Sequence, residues 1–192
     1  MSRLDPSTPI SAILYEDGTQ VQSVLRSVCA HLAGLGVRLG GFVERMQPRP
    51  DRARCDMILE CLSTGDGIGI SQDRGPEARG CRLDMDALLK ATTLGREALA
   101  AGCDLLVISK FGKAEAEGGG FRSLMVEALD LGIPMLVAVP LRNLAAWRDF
   151  AGDLGVDRRG SELPIDPSDV CNSLGLSPCV SAGPPRTEEI TE

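Results

Sequence analysis

The chain is poor in several things that would narrow its chemistry. It has a single histidine, His31, and its seven cysteines include no C-x-x-C pair. The spacings of a structural zinc site are therefore missing. An odd number of scattered cysteines points to reduced thiols in a cytoplasmic protein rather than to a disulfide framework. Without a second histidine, no Ser-His-Asp or Cys-His arrangement can be assembled around His31 from local sequence. Aromatic residues make up 3% of the 192 positions, and no apolar run approaches a membrane span of about 20 residues. The polar start, MSRLDPSTP, is not a secretory signal. A formal net charge of -7 lacks the basic footprint that nucleic acid or an anionic membrane requires.

Lysine is the most informative scarcity. Of 20 basic residues only three are lysines, Lys90, Lys110 and Lys113. Two of them fall together in the stretch Asp104 to Gly120, DLLVISKFGKAEAEGGG. Leu105 to Ile108 is an unbroken apolar run, too short for a helix and rich in branched side chains, as in a parallel strand covered on both faces. In open α/β sheets, ligands sit outside the carboxyl ends of the strands, where the loop from Ser109 would lie.

Elsewhere the pattern alternates between strands and helices. Ile10 to Tyr15 reads as a strand, followed by a turn and a helix from Thr19, with Gln22 completing a capping box. Val37 to Glu44 reads as a second strand parallel to the first. Asp56 to Leu62 and Gly67 to Ser71 form a candidate hairpin. Gln72 to Arg82 is a loop with three arginines, Arg74, Arg79 and Arg82. Asp84 caps a helix with Leu88, Leu89, Thr92 and Leu99 on its inner side. A helix over 121–131, a strand over 133–139, and a last helix capped by Asn143 and carrying Trp147 and Phe150 complete the core. The expected fold is three-layer α/β, with a mainly parallel sheet and an inserted antiparallel hairpin. Residues 1–9 read as a flexible arm, 10–159 as the domain and 160–192 as a weakly ordered tail.

These residues resemble the P-loop nucleoside triphosphatases, most closely the small thermophile-type enzymes, over about Ile10 to Val139. FGKAEAEGGGFR, GCRLD and SQDRG together look like a bacterial domain family with a P-loop-like core. That family's genes lie near molybdate-transport, molybdenum-cofactor or nitrogenase genes. The resemblance implies a role in molybdenum metabolism or nitrogen fixation.

The motifs that make such a fold an enzyme are altered. A working phosphate loop needs G-x-x-x-x-G-K-[ST], with a lysine for the β/γ phosphates and a hydroxyl for magnesium. The equivalent turn here is Tyr15-Glu16-Asp17-Gly18-Thr19-Gln20, without the lysine and with two carboxylates added. A unit charge at 4 Å is worth about 4 kcal/mol at an effective dielectric of 20. Helix-end attraction of about 0.3–1 kcal/mol does not offset that exchange. Where the triphosphatases place a magnesium-linked aspartate, this chain has Ser109 and Lys110. Magnesium-dependent triphosphate hydrolysis is therefore disfavoured, and no catalytic residue or metal ligand is assigned.

Positive charge at the exit of the central strand suits an anion instead. The expected ligand residues are Lys110, Lys113, the amides of Gly118, Gly119 and Gly120, and Arg122. Thr19, Arg79 and Arg82 are further candidates, and the partner is a small anionic ligand. The alternatives are a solvated glycine loop, a divergent nucleotide hydrolase or transferase, and an interaction module on a decayed nucleotide fold. Glu115 and Glu117 read as solvated loop carboxylates. Cys81, between arginines, is a candidate reactive thiol. An alternating edge strand makes a homodimer plausible.

Overall fold

The computed structural model describes residues 10–16, 18–50, 55–72, 83–152, 155–159 and 174, with 18, 19 and 155–159 in backbone only. The expected arm, most of the expected tail and the loop bearing Arg74, Arg79, Cys81 and Arg82 lie outside these residues.

Seven strands form one sheet in the order β4-β3-β2-β5-β6-β1-β7. They are β1 (Ile10–Tyr15), β2 (Leu39–Gln47), β3 (Asp56–Cys61), β4 (Gly67–Gly69), β5 (Leu105–Ile108), β6 (Met135–Pro140) and β7 (Gly155–Arg159). The pairs β2·β5, β5·β6, β6·β1 and β1·β7 are parallel; β2·β3 and β3·β4 are antiparallel and form the inserted hairpin. β1 and β2 are parallel, as a strand–helix–strand reading requires, but β5 and β6 stand between them. Period-two patterning of one strand pair carries no signal for such an insertion.

The helices are α1 (Gly18–Gly34), α2 (Met85–Ala100), α3 (Lys113–Ala116), α4 (Arg122–Asp130) and α5 (Leu144–Ala151), the last preceded by a 3₁₀ turn over Leu141–Asn143. Among the described residues, none is long and apolar enough to cross a membrane. α1 covers one face with Val21, Leu25, Val28 and Leu32 against Ile13, Val107 and Ala138. α2, α4 and α5 cover the other with Leu88, Leu99, Leu124 and Trp147 against Ile108, Val137 and Val139. Alternate residues of β5 and β6 thus enter two separate cores, which is why these strands read as continuous apolar runs. Leu174 is buried in the α1-side core.

Four local expectations need correction. Thr19 does not start α1; the helix already includes Gly18. Gln22 makes no capping box, because its side chain reaches across to β2 and β5. Leu89 is 64% exposed, and the buried stripe of α2 runs through Leu88, Ala91, Thr92, Gly95, Ala98 and Leu99. Gly95 earns its place there because a Cβ would collide with Leu124. Asn143 precedes α5 without a side-chain capping bond and donates to the Phe111 carbonyl instead. Asp84 does cap α2, accepting from the amides of Asp86 and Ala87 at 3.0 and 3.1 Å.

Candidate functional site

β5 is shorter than its neighbours. It ends at Ile108, while β6 continues to Pro140 and β2 continues to Gln47 by pairing with β3. A notch is left at its carboxyl end, and Ser109 to Gly112 cross it under four restraints. Phe111 N–H donates to the Ala138 carbonyl at 2.7 Å. The Asn143 amide donates to the Phe111 carbonyl at 2.8 Å. Gln22 donates to the Ser109 carbonyl at 3.0 Å and accepts the Glu44 N–H at 3.1 Å, stitching β5 to β2 where their ladder ends. The Phe111 ring is fully buried, edge-on to Trp147 at 5.2 Å. Lys110 sits between two residues whose backbones are tied down on opposite sides, so its direction of exit is preset. Its side chain is half-buried and lines a cavity.

The stretch after Lys110 is more ordered than a loop. Lys113–Ala116 makes one helical turn, α3, which the three following glycines had masked as flexible chain. Gly118 has φ +91 and donates to the Glu115 carbonyl; Gly119 donates to the Ala114 carbonyl at 2.8 Å. This is the Schellman closure of a helix end. Two of the three amides expected to cradle an anion are thus engaged within the loop. Glu115 is likewise no solvated carboxylate. It is 4% exposed, accepting the N–H of Gly112 at 2.8 Å and of Phe121 at 2.9 Å. The glycine at 120 has φ +58 and lies against that carboxylate, where a Cβ would collide with Oε1. Arg122 is turned away from the expected ligand set: it donates to the Glu115 carbonyl at 3.3 Å and lies 4.7 Å over the Phe150 ring.

The cavity measures about 600 Å³. Ser109, Lys110, Gly112, Lys113, Glu117, Gly119 and Arg142 line it, with Glu44 from β2. The hairpin, α2 and Phe121 supply apolar lining. Both expected lysines reach it, but unequally. The Lys113 side chain is 80% exposed and 3.6 Å from Glu117, an i,i+4 pair on α3. Lys110 has no hydrogen bond or ion pair among the described residues. Arg142 and Glu44 were not expected; their signal was position, since each follows the carboxyl end of a parallel pairing. Tyr15, at the end of β1, feels both: burial and then the Glu44 carboxylate raise its phenol to about 12, while Arg142 opposes them.

Glu16 is exposed at the start of the β1–α1 turn and the backbone of residues 18 and 19 opens α1, while the Thr19 side chain and Asp17 lie outside the described residues. The described cysteines are free thiols, three of them buried. Burial pushes Cys29 up to about 12 and raises Cys103, the latter helped by Asp104. Burial acts to raise Cys61 as well, but hydrogen bonds with Ser63 and Thr64 outweigh it and hold the thiol below its ordinary value.

The chain is similar to two proteins of known name. A "Molybdenum import ATP-binding protein ModC 2" of Bradyrhizobium diazoefficiens is 36% identical over 154 residues, 80% of this chain. The chain spans only 17% of that relative's length. Among solved structures, the "Solution Structure of a Human Cancer-Related Nucleoside Triphosphatase" superposes with a TM-score of 0.58 at 18% identity. The superposition covers 81% of this chain and 90% of that one. Likeness at that identity speaks for the fold alone, and it makes the sheet and its helices P-loop NTPase-like. A family model extends over residues 10–166, which hold all seven described strands, and the chain belongs to that family, described as "Protein of unknown function (DUF2478)".

Proposed function

We propose that the chain is a non-hydrolysing anion-binding protein on a degenerate P-loop NTPase-like fold. Its ligand is an oxyanion such as molybdate, or a phosphate-bearing molecule, and its setting is molybdenum handling. The observation that carries this reading is Lys110: a half-buried lysine on a backbone restrained from both sides, lining a cavity and free of any described carboxylate partner. A preset cation needs little reorganisation to meet an anion, and reorganisation is a main cost of binding. Lys113 and Arg142 add cationic reach in the same cavity. The molybdenum setting is supported by the import protein's name, although it belongs to a chain of which this one spans a sixth. Triphosphate hydrolysis is disfavoured because the β1–α1 turn lacks its lysine and β5 is followed by Ser109 and Lys110, whose ammonium repels a divalent cation.

The test is a melting-temperature panel with molybdate, tungstate, phosphate, 1-naphthyl phosphate, ATP and GTP. A ligand at a hundredfold its dissociation constant adds about 2.7 kcal/mol. For a chain of this size that is a rise of roughly 5–11 °C. No rise with any anion sinks the reading. Phosphate release from ATP or GTP that disappears in Lys110→Ala would replace it with a hydrolase.

A further inference from the structure

We infer that the cavity takes an organic anion of low charge with an apolar body, in preference to a bare oxyanion or a triphosphate. This rests on the anion-binding reading and narrows its ligand class. Size is the first argument. About 600 Å³ lies in the range of sites for drug-sized ligands, and a water occupies about 30 Å³ of liquid. A five-atom oxyanion would leave most of that space as solvent.

Lining chemistry is the second argument. Beside the charged residues, the lining includes Met57, Leu59, Ile70, Leu83, Leu88 and Phe121. They come from three separate pieces of chain, the hairpin, the start of α2 and the entry to α4. Leu59, Ile70, Leu88 and Phe121 are at most 5% exposed, and the Phe121 ring is held by stacking on Phe42 at 5.3 Å. This apolar lining offers a small ion neither charge nor hydrogen bonds. It gains only from a ligand that brings apolar surface of its own.

Charge balance is the third. Lys110, Lys113 and Arg142 share the cavity with Glu44, Glu117 and Glu115. Glu115 spends both oxygens on backbone amides, and Glu117 lies beside Lys113. Among the described residues the cavity therefore carries little surplus positive charge, enough for a carboxylate or a phosphate monoester but not for a triphosphate's several charges. The geometry suits a ligand whose anionic end meets Lys110 and whose body lies along the hairpin and α2.

Isothermal titration with molybdate, inorganic phosphate, phenyl phosphate, 1-naphthyl phosphate and neutral 1-naphthol tests this. The expected result is a rise in affinity through the phosphate series, at least tenfold from phosphate to naphthyl phosphate, with naphthol at least tenfold weaker than its phosphate. Met85→Gln, at a position 55% exposed on the cavity edge and so safe for folding, should reduce the naphthyl-to-phosphate ratio at least threefold. Equal affinity for phosphate and naphthyl phosphate, or tighter binding of molybdate, overturns the inference and leaves the anion-binding reading standing. So does a ratio that Met85→Gln leaves unchanged. Naphthol binding as tightly as its phosphate overturns the anion-binding reading, and binding by none of the five overturns both.

Discussion

Glu115 and Gly120 are fitted to each other. The buried carboxylate reaches the Phe121 N–H across a glycine whose missing Cβ leaves the room it occupies. One acid thus fixes both ends of the segment between Lys110 and α4, and part of the cavity's lining is built on it.

Replacing Glu115 should loosen that segment. In Glu115→Gln the shape is kept, but one oxygen becomes an N–H group facing a backbone N–H donor. Losing a hydrogen bond to a charged acceptor costs about 1.5–3 kcal/mol. At about 2–4 °C per kcal/mol for a chain of this size, a fall in melting temperature of roughly 3–12 °C is expected. An unchanged melting temperature would mean that the carboxylate is not the clamp described.

The glycine run should answer unequally to alanine. Gly118 has φ +91 with nothing within 4 Å of a built Cβ, so Gly118→Ala pays backbone strain alone, about 1–2 kcal/mol. Gly120→Ala adds a collision with Glu115 Oε1 and should be clearly the worse of the two by denaturant melting. Equal losses would contradict the packing.

Stability should depend on acid through Asp104, at the far end of β5 from the cavity. Its carboxylate accepts the Arg38 backbone N–H at 2.8 Å and two guanidinium N–H bonds at 3.0 and 2.6 Å. The Arg38 side chain is the main cause that holds it below the ordinary carboxylate range. A folded-state value below the unfolded one gives stability that is full above the unfolded pKa of about 3.9 and is lost as pH falls through the folded value. Asp104→Asn should therefore be less stable than the parent at pH 7. The gap should close below about pH 3.9, as urea midpoints across pH would show. A constant gap would assign the loss to shape rather than charge.

Ser11 is an opportunity. It is fully buried in β1, and its hydroxyl has no hydrogen-bond partner among the described residues. A buried unpaired polar group costs about 1–3 kcal/mol. Ser11→Ala should be neutral or raise the melting temperature, by up to a few degrees; a fall would reveal a partner for the hydroxyl.

Much of this architecture was legible in the chain. Ile10–Tyr15, the hairpin, the Asp84 cap and Leu105–Ile108 follow from apolar runs and turn chemistry that act locally. What was hidden depends on distance in sequence. Gln22 looked like a capping residue but serves Ser109 and Glu44, whose positions only the assembled sheet defines. Glu115 looked solvated because its partners are backbone amides, which leave no mark on composition. The glycines looked like an anion cradle because closure of α3 and a phosphate nest use the same residue type. β7 is a short polar strand, GVDRR, ordered by its pairing with β1 and without a pattern of its own. Lys110 stands out in the sequence because rarity of lysine and strand-end position coincide, and in the structure it lines the cavity.

The central claim is that Lys110 grips an anion. The direct measurement is titration calorimetry of the five-compound series into the parent chain, Lys110→Ala and Lys113→Ala. The account predicts saturable one-site binding of the tightest anion to the parent. Lys110→Ala should weaken it at least tenfold, and Lys113→Ala, with a mostly solvated side chain, should weaken it less. Binding that survives intact in Lys110→Ala, or that the parent never shows, would contradict it.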